Sequence, residues 1–270
     1  MRESGNRLLC LGVMGFYLIT ATSNHAQNNP NSNKDIVTKQ REWALGCSAM
    51  LIERNHDRHD LLGTAVRSER NIEKMKEFLI TSGWDINNRI DLLENLEWIE
   101  KGGHRSKFDG MGKYLQTLNP QEYKQVLKDY EKNPNAQHKF KITKEYYRKL
   151  GRKSLLGWDY SRYICICRWG YMAGYLSEEE AWKRIMPVAK MLQKTFNSWE
   201  DLGKNYIIGR QFWSYKATQE AGYLFDDAYQ RLLDMPTSPW NKYPWTMDLS
   251  DSGVVDKHKI PDETKTSEEK

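Results

Sequence analysis

The chain has 270 residues, 41 of them basic and 36 acidic, for a formal net charge of +5. No block of basic residues is longer than a pair, so the sequence carries no nucleic-acid footprint. A composition of 39% hydrophobic and 12% aromatic residues, with 10 Trp and 15 Tyr, supplies an aromatic core whose indole and phenol groups need hydrogen-bond partners, and no nucleotide loop, metal-ligand set or nucleophile motif stands out.

Arg2 and Arg7 precede an uncharged, mostly apolar run of 14 residues from Leu8 to Ala21. That is short for a bilayer span and suits the apolar region of a signal peptide. Residues 1–26 are therefore expected to be a signal peptide, with cleavage after Ala26 or Ser23, and the protein to be exported to the periplasm or secreted. The alternative is an uncleaved N-terminal membrane anchor; the mature chain has no expected membrane span. Cys10 leaves with the signal. Cys47, Cys165 and Cys167 remain, an odd number that forbids a complete disulfide framework. Cys165 and Cys167 point to different faces of a helix. One bond from Cys47 to either stays open beside the reading of three buried thiols.

Residues 27–34 read as a disordered polar linker. Residues 35–249 read as one compact all-α domain of about eight helices with an aromatic-rich core, because no segment alternates with period two for long. The first helix is expected over 35–55. The stretch 55–64 breaks it and holds His56, Asp57, His59 and Asp60, which lack a convergent third metal ligand. Ser68–Ser82 follows, closed by Gly83. Asn87 or Asn88 caps a helix ending at Lys101, before Gly102 and Gly103. His104 and Arg105 come next and are expected to cap that helix end. Asn119-Pro120-Gln121-Glu122 starts another helix, and 133–141 reads as a loop. A long helical stretch from Thr143 to Met172 is punctuated by Gly151 and Gly157 and closed by Gly174. Ser177 to Glu180 form a capping box for a helix that Pro187 should kink. Ser198 caps the next helix, and a last one covers about 219–233. The aromatic, Pro-rich segment 238–249 reads as a strap across the helices. Residues 250–270 read as a disordered charged tail.

Five blocks in this order carry a family resemblance: WALGCSAML, WDINNRIDLLENLEWIEKGGHRSKFD, WDYSRYICICRWGYMAGYLSEEEAW, FNSWEDLGKNYIIGRQFW and SPWNKYPW. The chain resembles, over roughly residues 40–249, a bacterial family known as domain of unknown function 1266. The resemblance implies a helical domain, with no catalytic residue or activity to carry over. The expected export signal departs from the soluble members to be expected of such a family.

Asp159 and Arg162, three apart on a helix, are expected to pair. Arg162–Trp169 and Arg210–Trp213 place arginines beside aromatics, where a guanidinium can stack and still offer donors to an anion. The sharpest site hypothesis is a polar cleft for an anionic group, formed by His104, Asp159, Arg162, Arg168 and Arg210 with Trp169 and Trp213. Its rival is a purely structural network around a buried arginine. The corresponding functions are a non-enzymatic binding or protein-interaction module and, alternatively, a hydrolase or transferase acting on an anionic substrate around Asp159, Arg162 and Arg210. The acid or base of the latter would come from Asp159, Glu179 or His104. No cofactor or metal is expected; the partner is a small anionic ligand or another protein.

Overall fold

The computed structural model describes residues 30–250, so the expected signal peptide and nearly all of the expected tail lie outside the described residues. Within them the chain forms thirteen α-helices, one 3-10 turn and no strand, and no helix is long and apolar enough to cross a membrane.

Most helix starts follow from a local side chain. Ser68 caps α3 (Glu69–Thr81) and Asn88 caps α4 (Arg89–Lys101) by accepting backbone N–H groups of the first turn. Asn119 and Glu122 close a reciprocal box on α6 (Pro120–Asp129), and Ser177 and Glu180 do the same on α9 (Glu178–Thr195). Glu180 is held down to about 2 by hydrogen bonds from Arg89 and the Ser177 N–H. Ser198 caps α10 (Trp199–Trp213).

The helix count exceeds the expected eight because expected elements split and two were unforeseen. The first helix begins at Pro30, within the expected linker, and splits into α1 (Pro30–Gly46) and α2 (Ala49–Arg54). At the break the Ser48 hydroxyl donates to Leu45 O at 2.7 Å. The expected loop 133–141 is instead the start of α7 (Pro134–Leu150), capped by Asn133 with Pro134 in its first turn. α5 (Gly103–Gln116) begins straight after the Gly102 turn. The 3-10 turn Gly151–Lys153 ends α7, and α8 (Leu156–Ala173) follows. The last expected helix divides at Gly222 into α11 (Tyr215–Ala221) and α12 (Tyr223–Asp234). α9 continues through Pro187 as one helix.

α8 is the axis of the fold. Only Leu156, Tyr160, Arg162 and Tyr171 along it are not fully buried. A helix buried on every side needs neighbours on every side, and α2, α3, α4, α5, α9 and α10 pack around it. Cys165 and Cys167 on α8, and Cys47, are free and buried; burial raises all three thiols, Cys165 to about 12. They are packing residues, inert as nucleophiles.

The C-terminal segment, from α13 (Pro239–Lys242) to Leu249, lies across α1 and the ends of α9 and α10. Its carbonyls and rings satisfy the indoles they cover: Trp43 donates to Pro244 O at 3.0 Å and Trp199 to Tyr243 O at 2.8 Å. Trp240 and Trp245 donate outward, to Gly46 O and Phe196 O, both at 3.1 Å. The rings of Trp43, Trp199 and Trp245 lie within 4.6–5.1 Å of one another.

Candidate functional site

Arg162 leaves the buried axis helix on the side facing α3, α10 and the turn after α3. Its guanidinium lies between two indoles, 4.6 Å from the Trp84 ring and 4.5 Å from the Trp158 ring. Trp158 is one helical turn earlier on α8, so the i,i+4 spacing places its ring over the arginine. Among the described residues, the guanidinium makes one hydrogen bond, from Nη1 to His104 Nδ1 at 3.1 Å. Among the described residues no carboxylate forms an ion pair with Arg162. Burial pulls its pKa below the ordinary arginine value, yet a guanidinium remains charged there.

The expected pairing of Asp159 with Arg162 is therefore not formed. Asp159 is fully buried and turns to the start of α5. It accepts the backbone N–H groups of His104 and Arg105 and the Arg105 Nη1, each at 3.1 Å. A carboxylate at a helix N-terminus satisfies orphan donors and meets the positive end of the helix dipole. Gly103 lets this happen. Its φ is +51°, and a Cβ there would sit 2.6 Å from Asp159 Oδ2. Arg105 completes the knot by donating to Ile99 O at 2.7 Å and Glu100 O at 2.9 Å, closing the end of α4. Arg105 thus caps that end as expected. His104 does not; it joins the site.

The His104 ring packs edge-on against Trp98 and Trp158. Its Nδ1 lies 3.1 Å from Arg162 Nη1 and 3.4 Å from Asp159 Oδ1. These two contacts ask for opposite tautomers. Arg162 must donate, and the Asp159 oxygens already have their N–H donors, so Nδ1 is the acceptor and the ring is neutral with its proton on Nε2. Burial, with Arg162 adding to it, lowers the pKa of His104 and favours this state.

Arg210 comes from α10. It is 5% exposed, lies 4.3 Å above the Phe225 ring and donates to Ala217 O at 2.8 Å. α10 reaches α8 because residue 209 is glycine: a Cβ there would meet Trp158 Cβ at 2.1 Å. Arg162 and Arg210 line one cavity of about 350 Å³ with Trp84, Trp158, Trp169 and Trp213. Arg54, exposed on α2, also lines it, and Glu220 is the one acidic residue in its lining. Trp213 is 43% exposed at the rim. Trp169 is fully buried and is packed edge-on by Phe78 and Trp84. The indole N–H groups of Trp158 and Trp169 are buried without a hydrogen-bond partner among the described residues.

Arg168 takes no part in this cavity. It is fully buried on another face of α8 and binds the 55–64 loop. Its guanidinium donates to Ser48 Oγ (2.9 Å), Arg58 O (2.7 Å), Leu61 O (2.9 Å), Leu62 O (3.3 Å) and His59 O (3.3 Å). Burial lowers its pKa to about 10. In that loop His59 pairs with Glu53 at 2.8 Å and Asp60 with Arg58. Among the described residues no group of three or more His, Cys, Asp and Glu is arranged to hold a metal ion. Glu179 lies in the exposed first turn of α9, which contributes nothing to the cavity wall.

Of the residues singled out by sequence, the fold brings together Arg162, Arg210, Trp169 and Trp213, with His104 bonded to Arg162 behind them. Trp84, Trp158 and Arg54 were not foreseen. The i,i+4 spacing of Trp158 and Arg162 was a usable signal; nothing local marks Trp84, which sits in a loop, as a partner of α8.

Residues 80–245 match the profile of a family described as "Protein of unknown function (DUF1266)". The chain is 26% identical over 139 residues to "Uncharacterized protein YbeU" of Escherichia coli (strain K12), covering 52% of this chain and 58% of that protein. It is 25% identical over 136 residues to "Uncharacterized protein YbeR" of the same organism, covering 50% and 57%. The matched segment thus spans little more than half the length of these relatives. No solved structure matches.

Proposed function

From the premise that this chain belongs to the DUF1266 family of proteins of unknown function, we propose that its domain is a binding module that takes a small anionic ligand in the cavity lined by Arg162 and Arg210. The observation that carries this reading is the state of Arg162. It is a largely covered charge held between two indoles, with no carboxylate in ion-pair contact with it among the described residues. A partly desolvated cation without a contacting counter-ion is costly, and a bound carboxylate, sulfonate or phosphate supplies one by bidentate hydrogen bonds. The aromatic walls favour an anion on a flat apolar body, which stacks as it pairs.

Binding is preferred to catalysis because Asp159, three residues before Arg162 on α8, has its oxygens taken by the N–H groups of α5 and by Arg105. A general acid or base needs a free position within reach of a substrate proton. The basic and then apolar start of the sequence supports a setting outside the cytoplasm, and N-terminal sequencing of the mature protein checks it.

The reading is tested by thermal shift with 2-naphthoate and its neutral counterpart 2-naphthamide. A ligand of the folded state raises the melting temperature. The naphthoate is expected to raise it, the amide not, and Arg162→Met is expected to abolish the naphthoate effect while still folding. Equal shifts for both compounds, no shift for either, or an unchanged naphthoate shift in Arg162→Met overturn the reading.

A further inference from the structure

The cavity at Arg162 holds more positive charge than one acid group neutralises. Three arginines line it, Arg54, Arg162 and Arg210, against the single carboxylate of Glu220. Glu220 already lies 3.8 Å from Lys216 on its own helix. Among the described residues none of the three arginines takes part in an ion pair. Like charges gathered where water is partly excluded disfavour one another; burial, with Arg54 adding to it, lowers the pKa of Arg210.

Arg162 and Arg210 stand on different aromatic supports, with Tyr206 between them. The Tyr206 ring is 5.0 Å from Trp158, over which Arg162 lies, and 5.8 Å from Phe225, over which Arg210 lies. Both guanidinium groups have donors to offer. Among the described residues Arg162 uses only Nη1, on His104, and Arg210 only Nη2, on Ala217 O. Their other nitrogens and the Tyr206 hydroxyl make no hydrogen bond there, and none of these atoms is sealed from solvent in the way the indole N–H groups of Trp158 and Trp169 are. Tyr206 is 1% exposed and its ring is packed by Trp158 and Phe225, so its hydroxyl opens into the cavity that the residue lines. Burial raises the pKa of this phenol, aided by Cys165 and opposed by Arg162, Arg210 and Arg54. It therefore keeps its proton and acts as a donor. A ligand with one acid group at Arg162 leaves the second guanidinium and the phenol without an acceptor.

We infer that this cavity takes a two-ended dianion, an aromatic dicarboxylate, with one carboxylate at Arg162 and the other at Arg210, where the Tyr206 hydroxyl donates to it. This rests on the anion-binding reading above and adds the second acid group to it.

The test is calorimetric titration of three compounds into the full chain: 2-naphthoate, 2,6-naphthalenedicarboxylate and 2-naphthyl phosphate, at about pH 8, where a phosphate monoester is doubly charged. The dicarboxylate is expected to bind roughly tenfold more tightly than 2-naphthoate, and more tightly than naphthyl phosphate, which carries both charges on one head. In Arg210→Met its advantage over 2-naphthoate, both measured on that variant, is expected to fall below about threefold. Tyr206→Phe keeps the packed ring and removes the hydroxyl; it is expected to reduce the same advantage by about threefold, and it decides the matter if Arg210→Met does not fold. If 2-naphthoate binds and the dicarboxylate is no tighter, if naphthyl phosphate equals or exceeds it, or if its advantage is undiminished in the variants, the two-ended site is wrong and the anion site stands. If none of the three compounds binds, both readings fall.

Discussion

Arg162 and Asp159 stand three residues apart on one helix and have different tasks, and substitution separates them. Asp159 compensates two helix-start N–H groups and the Arg105 guanidinium in a fully buried position. Asp159→Ala leaves these donors unpaired, and a loss of about 3–5 kcal/mol is expected, read as a lowered midpoint in urea. Arg162→Met exchanges a desolvated cation for an apolar chain of similar length, and stability is expected to change by no more than about 1 kcal/mol. The reverse order would mean that Arg162 is the structural residue. His104 adds a pH signature. Its folded pKa lies below the ordinary value near 6.5, so the unfolded chain binds its proton first as pH falls. The stability this confers is complete above about pH 6.5 and is lost on acidification. His104→Gln is expected to flatten the fall in melting temperature between pH 7 and 5, with His59 and His138, also lowered by burial, keeping part of the slope. The residue types of the site were legible in the sequence, but their pairing was not. Spacing allowed Asp159 to meet Arg162, and only the fold reveals that the start of another helix competes for the same carboxylate and wins. Arg168 was separable in principle: six residues beyond Arg162, it is rotated well off that face of the helix.

At the scale of the helices, the cavity exists because α8 and α10 come close at Gly209. Gly209→Ala places a methyl carbon against Trp158 Cβ and Cγ, at 2.1 and 2.5 Å before relaxation. It must part the helices or displace the indole that covers Arg162. A cost of about 1–3 kcal/mol is expected, together with weaker binding of an aromatic anion, measured by denaturation and titration of the same variant. Unchanged stability would mean that the helices do not meet there. Helices capped by their own neighbours, such as Ser68, Asn88 and Ser177, were legible at once. α5 was not, because its cap is Asp159, 55 residues away in sequence and borne on another helix. The start of α7 was missed for a different reason. Its first turns, Pro134 to Lys139, are polar and show no apolar stripe, although Asn133-Pro134 repeats the Asn-Pro start that identified α6.

For the molecule as a whole, the strap after α12 packs across α1 and α10, and Trp43 is its anchor, fully buried and bonded to Pro244 O. Trp43→Ala is expected to cost about 3–5 kcal/mol and to leave the site chemistry of any remaining folded protein unaltered; thermal unfolding followed by circular dichroism measures it. The all-helical class and the aromatic core were legible because they rest on composition and periodicity. The cavity was not, since it is made where α3, α8, α10 and α11 converge with the Trp84 loop, residues more than a hundred positions apart. The most direct test of the central claim is calorimetric titration of 2-naphthoate into the wild-type chain and Arg162→Met. One site per chain is expected, weakened at least tenfold by the substitution, equivalent to about 1.4 kcal/mol. Equal affinity in the two proteins, or no binding to the wild type, would contradict it.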